Sequence, residues 1–146
     1  MSQTLSMYQS VGATQFTKLA CQMAPYFSSI QPEISVLAPG RAEVKVPFRK
    51  EITNHLGTVH AIALCNAAEL AGGMMTEVSI PAGARWIPKG MTVEYLAKGK
   101  TSVHAIADGS AVDWQSTGDK VVPVDIFDEA GVKVFTARIT MDVRPA

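Results

Sequence analysis

Residues 54–76, NHLGTVHAIALCNAAELAGGMMT, decide how this 146-residue chain is read. From position 61 to 75 the stretch consists almost wholly of Ala, Leu, Ile, Met, Cys and Gly, and its only strongly polar residues are Asn66 and Glu69. A helix that is apolar on every side is a buried one. A carboxylate is seldom carried into such a place unless it is paired or functional. Immediately before the helix lies a polar, glycine-containing turn, Asn54-His55-Leu56-Gly57-Thr58-Val59-His60. A polar loop running into a buried helix that carries one acid is the arrangement expected of an active site.

The remainder of the chain reads as wrapping. In residues 11–28, Phe16, Leu19, Ala20 and Met23 recur at helical spacing, and Pro25 ends or kinks that helix, which covers part of the domain or lines a cavity, ordinary packing being the preferred reading. After Pro32 the period becomes two. EISVLA (33–38) and RAEVKVPF (41–48) form two strands joined by Pro39-Gly40, with Val44, Val46 and Phe48 on one face and Glu43 and Lys45 on the other. Residues 80–90, IPAGARWIPKG, read as a loop. Strands follow at 91–97, 101–108, 120–128 and 132–143, with residues 109–119 as an exposed connection or bulged strand end. In the last strand Phe135, Ala137, Ile139, Met141 and Val143 alternate with polar residues. Consecutive strands joined by short turns imply an antiparallel sheet, and one long apolar helix against it predicts an α+β domain. The expected layout is one domain over 1–146, a helical segment over 1–29 and a sheet-and-helix core over 30–146.

Composition narrows the function. The chain is 47% hydrophobic and 18% charged, as a compact protein requires. Thirteen basic and thirteen acidic residues cancel, which argues against a dedicated nucleic-acid binder. The opening MSQTLSMYQS has neither a basic nor an apolar signal-peptide region, and no apolar run has membrane-spanning length. Cys21 and Cys65 sit in apolar helical surroundings and read as buried, reduced thiols. The expectation is a cytoplasmic protein without membrane insertion. His55, His60 and His104 are too few and too scattered for a metal site, and no metal or other cofactor is expected. GxSxG, GxGxxG and Walker patterns are absent.

What remains is the pattern N-x-x-G-T-x-H (Asn54, Gly57, Thr58, His60), followed by an Ala-rich helix with an acid, Glu69, nine residues after the histidine. This resembles the hotdog-fold acyl-CoA thioesterases, in particular the phenylacetyl-CoA thioesterase-like group, and the likeness spans about residues 30–143. The resemblance implies a sheet wrapped around the central helix, with an additional helix ahead of it. It implies that Glu69 activates water or attacks the thioester, that Asn54 orients the thioester or the water, and that the Ala61 N–H holds the oxyanion. A helix N-terminus supplies such a donor for physical reasons. His55, Gly57, Thr58, His60 and Asn66 are expected to line the substrate site, and acyl-CoA is the expected substrate.

The family usually carries Gly-Gly after the histidine, where this chain has Ala61-Ile62. That departure keeps a non-catalytic acyl-CoA-binding protein as the alternative. The spacing of fourteen residues from His55 to Glu69 resembles hotdog hydroxyacyl dehydratases, whose Pro-Gly-Val stretch is missing here. One geometric expectation follows. Eight residues separate Ala61 from Glu69, or about 12 Å along a helix. A single carbonyl cannot touch both, so a working site needs the two residues from different subunits. The resemblance likewise implies a homodimer, or a dimer of dimers, with sites at the interface.

Overall fold

The structure is a computed structural model that describes all 146 residues. Two helices open the chain, α1 (Gln3–Val11) and α2 (Ala13–Met23), followed by a 3₁₀ segment, Pro25–Ile30. The strands are β1 (Glu33–Ala38), β2 (Arg41–Val46), β3 (Arg85–Tyr95), β4 (Val103–Asp108), β5 (Gly118–Asp128) and β6 (Lys133–Arg144). The central helix α3 (Ala61–Ser79) lies between β2 and β3. All pairings are antiparallel, in the order β1-β2-β4-β5-β6-β3, so β3 crosses to the far edge. The sheet wraps α3, which packs against every strand. This is the hotdog fold.

Sequence and packing agree most closely in β6, where Phe135, Ala137, Ile139, Met141 and Val143 are all buried against the helix. Alanines 67, 68 and 71 and Gly72 form the buried side of α3, where small side chains let the helix sit close to the sheet. A Cβ on Gly72 would lie 3.1 Å from Ile139 Cδ1 and 3.4 Å from Val122 Cγ1, both in the packed interior. Gly72→Leu therefore overpacks the seam and lowers stability by about 1–3 kcal/mol. Thermal unfolding at fixed protein concentration measures it, and an unchanged or raised midpoint contradicts the close approach.

Four sequence expectations are corrected. The N-terminal helical segment holds two helices, because Gly12 (φ 83°) ends α1 and opens α2. Ser2 Oγ caps α1 by accepting from the Leu5 N–H at 3.0 Å. Residues 85–90, read as loop, belong to β3. This strand pairs on one side only, with β6, and an edge position with a bulge between Pro88 and Gly90 tolerates both residues. Phe48 is 39% exposed, since β2 ends at Val46 before Pro47 breaks the alternation. Helix α3 is not covered all round. Ile62 is 52% exposed, and Cys65, Asn66 and Glu69 are half-buried along the same stripe, because a single sheet covers only one side of the helix.

The helical segment is tied to the core by polar contacts as well as packing. Thr17 Oγ1 accepts from the Ile34 N–H at 3.0 Å, pairing a backbone donor on edge strand β1 that has no neighbouring strand on that side. Tyr8 Oη donates to Ile34 O at 3.0 Å and its ring meets Phe16 edge-on, centroids 5.2 Å apart. No helix is long and apolar enough to cross a membrane.

Candidate active site

The loop ahead of α3 is built around Asn54. Its Oδ1 accepts from the N–H groups of Leu56 (3.0 Å) and Thr58 (3.2 Å), and its Nδ2 donates to Thr58 Oγ1 at 3.0 Å. The backbone closes the same loop, with Asn54 N–H donating to Thr58 O at 2.9 Å. Gly57 takes φ 77° at its tip, a conformation that needs glycine. Asn54 thus holds the turn and retains one amide hydrogen for another partner. Asn54→Ala should destabilise the protein by about 1–3 kcal/mol by stranding the Leu56 and Thr58 donors. Asn54→Asp keeps both acceptors and should stay close to wild type. Urea unfolding of the pair checks this, and equal losses would mean that the loop does not depend on Oδ1.

The loop is anchored on both sides. His60 N–H donates to Ile52 O and Val59 N–H to Gly99 O, each at 2.8 Å. The second bond brings the exposed Lys98 and Lys100 beside the start of α3. His60 caps the helix, its Nδ1 accepting the Ile62 N–H at 3.0 Å. A neutral ring in that role carries its proton on Nε2. The Ala61 N–H has no acceptor within the chain, as first-turn donors of a helix commonly do not. His55 is exposed at the loop tip and Thr58 is buried beneath it.

Glu69 lies two turns further along α3. It is half-buried, makes no hydrogen bond or ion pair, and lines a cavity of about 530 Å³. Asn66 does not reach Glu69. Its amide donates instead to Tyr26 Oη of the 3₁₀ segment, at 3.4 Å. The cysteines are free but half-buried rather than buried. Desolvation raises the Cys21 thiol above its ordinary range, while Cys65 Sγ lies 3.7 Å from Tyr95 Oη across the exposed stripe. No three His, Cys, Asp or Glu side chains cluster as a metal site would need.

Within the chain the structure thus gathers Asn54, Gly57, Thr58, His60 and Ala61 at one end of α3 and leaves Glu69 well apart on the cavity. Of the cavity's other walls, the sequence raised only α2, and there with ordinary packing as the preferred reading. Helices α1 and α2 form one of them, and Trp86 and Pro88 of β3 form another. Trp86 Nε1 donates to Glu77 Oε2, and Thr4 Oγ1 donates to Glu77 Oε1 at 3.3 Å. For α1 the one sequence signal was Ser2 as a cap ahead of Leu5 and Tyr8, apolar residues at helical spacing.

A family model described as a domain of unknown function, DUF4442, matches residues 12–143. The chain belongs to the DUF4442 family. This DUF4442 protein is 60% identical to the crystal structure of a structural-genomics target, APC5556, over 99% of its own length and 97% of that chain, with a TM-score of 0.90. A thioesterase from Haemophilus influenzae is 19% identical over 82% of both chains, TM-score 0.73. A thioesterase family protein from Silicibacter pomeroyi is 17% identical over 88% of this chain and 96% of that one, TM-score 0.76. At the latter two identities the likeness is one of fold, and the DUF4442 chain has the hotdog fold of these thioesterases. No curated protein matches it.

Proposed function

We propose that the protein hydrolyses an acyl-CoA thioester to the free acid and coenzyme A. The observation that carries this reading is an unpartnered carboxylate, Glu69, on the wall of an apolar cavity, on a helix whose first N–H is free. In the proposed step Glu69 takes a proton from water as the water oxygen attacks the thioester carbonyl. The Ala61 N–H, at the positive end of α3, holds the oxyanion. The carbon–sulfur bond then breaks and the thiolate leaves with the proton that Glu69 received. Asn54 offers its remaining amide hydrogen to the carbonyl or the water, and Gly57, Thr58 and His60 shape the loop around it. His55, at the loop tip, and Asn66, one turn before Glu69 on α3, complete the proposed substrate contacts. Lys98 and Lys100 stand where the phosphates of coenzyme A would meet positive charge.

The separation of Ala61 from Glu69 supports a homodimer in which each site takes the loop and the Ala61 N–H from one subunit and Glu69 from the other. Two features favour a second copy as the partner. Strand β3 is an unpaired sheet edge carrying Ile87, Met91 and Tyr95, which are 62%, 39% and 54% exposed. Beside it runs the uncovered stripe of α3 with Ile62. Two free thiols suit a reducing compartment, and we place the enzyme in the cytoplasm.

The test is thiol release from a panel of short, medium, long and aromatic acyl-CoAs, with sedimentation at the assay concentration. Turnover by a dimer or larger assembly supports the reading. Ile62 beside the oxyanion donor favours one alternative, a binding protein, and saturable binding without turnover on any member would establish that instead. An active, strictly monomeric species would remove the shared site.

A further inference from the structure

Resting on the thioesterase reading, we propose that the cavity beneath α1 and α2 selects an unbranched aliphatic acyl chain of about ten carbons, with its thioester end at Glu69 and its outer half running along Trp86 toward Glu77. The cavity touches α3 at Glu69, Leu70, Gly73, Met74 and Glu77. Those positions form one stripe of the helix, so the cavity runs lengthwise along it. From Glu69 to Glu77 is eight residues, or about 12 Å. An extended peptide advances about 3.5 Å over the three bonds of a residue, so an all-trans chain advances about 1.2 Å per bond. About ten bonds therefore span the distance. The volume, about 530 Å³, lies inside the range of small-molecule pockets.

The walls favour a flexible aliphatic chain. Met7 and Met23, on the exposed margin of the two N-terminal helices, line the cavity together with Met74 of α3, Leu19 and Phe16. Methionine side chains adjust to the contour of what they touch. At the Glu77 end both carboxylate oxygens are occupied, by Trp86 Nε1 and Thr4 Oγ1, so neither turns a free lone pair on the acyl chain. Gly73 sets the wall beside it. A Cβ there would lie 2.9 Å from Trp86 Cη2, so glycine lets the indole lie along the helix from Gly73 to Glu77 as a side wall of the outer half of the cavity.

The experiment separates chain selection from hydrolysis by using thioether analogues, S-alkyl-coenzyme A from butyl to hexadecyl together with a phenylethyl analogue, which cannot be hydrolysed. Binding is read from Trp86 fluorescence in a Trp114→Phe background, which leaves one indole. Affinity should rise about fourfold per methylene up to decyl and stop rising beyond dodecyl. Met74→Phe, or Ala20→Leu from the opposite wall should the first fail to fold, should move the optimum to shorter chains. Affinity independent of chain length, tighter binding of the phenylethyl analogue than of decyl, or a silent Trp86 would overturn the proposal. So would a dimer that excludes every alkyl chain, since a second copy would then fill the cavity. If decyl binds at Trp86 while decanoyl-CoA is not hydrolysed, the proposal stands as a binding site and the hydrolysis reading falls. Hydrolysis indifferent to chain length has the opposite meaning.

Discussion

Glu69→Gln should lower kcat by about 10²–10⁴-fold, the range contributed by a positioned acid–base group. The amide has the shape of the carboxylate but cannot accept a proton from water. No structural bond is lost with it, because Glu69 has no hydrogen-bond or ion-pair partner in the chain. The variant should unfold at the wild-type temperature and bind the same thioether analogues. Glu77, the other acid on the cavity, is the control. Gln at that position still accepts from Trp86 Nε1, so turnover should stay near wild type. Thiol release under single-turnover conditions measures the chemical step. Retention of more than about a tenth of wild-type kcat by the Glu69 variant would remove that residue from the mechanism.

Ala61→Pro should cost about 10²–10³-fold in kcat, as expected for removal of one oxyanion donor. Ala61 is the first helical residue, a position where proline fits and where only an already unpaired N–H is lost. The preceding residue, His60, has φ −61° and ψ 138°, a conformation compatible with a following proline. Stability should therefore be unchanged while turnover collapses. Co-expressing this variant with Glu69→Gln then decides where the two groups reside. In a random mixture half of the dimers are mixed, and each of those has one intact site of two, so activity should return to about a quarter of wild type. No recovery from two folded, dimeric variants would place both groups in one subunit or discard one of them.

Much of this protein was legible along the chain. Local pattern carried β6, β4, β2 and α3, because each element's burial follows its own period of two or of small apolar residues; Pro39-Gly40 marked the turn before β2, but β1 buries Ile34 and Leu37 across a bulge that its alternation did not signal. Strand β3 was only half legible. Pro88 and Gly90 signal a loop locally, and only its place at the edge, with β6 on one side, makes them tolerable there. Helix α1 was only faintly legible, since its sequence QTLSMYQSV is mostly polar and Leu5 is its one fully buried residue, with Thr4, Met7 and Tyr8 making partial contacts.

For the candidate site, sequence by itself determined the residue types and their spacing. The turn from Asn54 to His60 depends on neighbours within a few positions, and Glu69 is the one acid without a partner on an otherwise apolar helix. Tertiary structure decided the rest. It left one stripe of α3 uncovered, brought Lys98 and Lys100 beside the helix start through a bond from Val59 to Gly99, and set Trp86 against Gly73 to wall a cavity. A cavity is space left between elements distant along the chain, here α1, α2, α3 and β3, and its length depends on how they pack. No local sequence pattern encodes that packing, because a contact between Thr4 and Glu77 is specified only when the whole sheet has wrapped its helix.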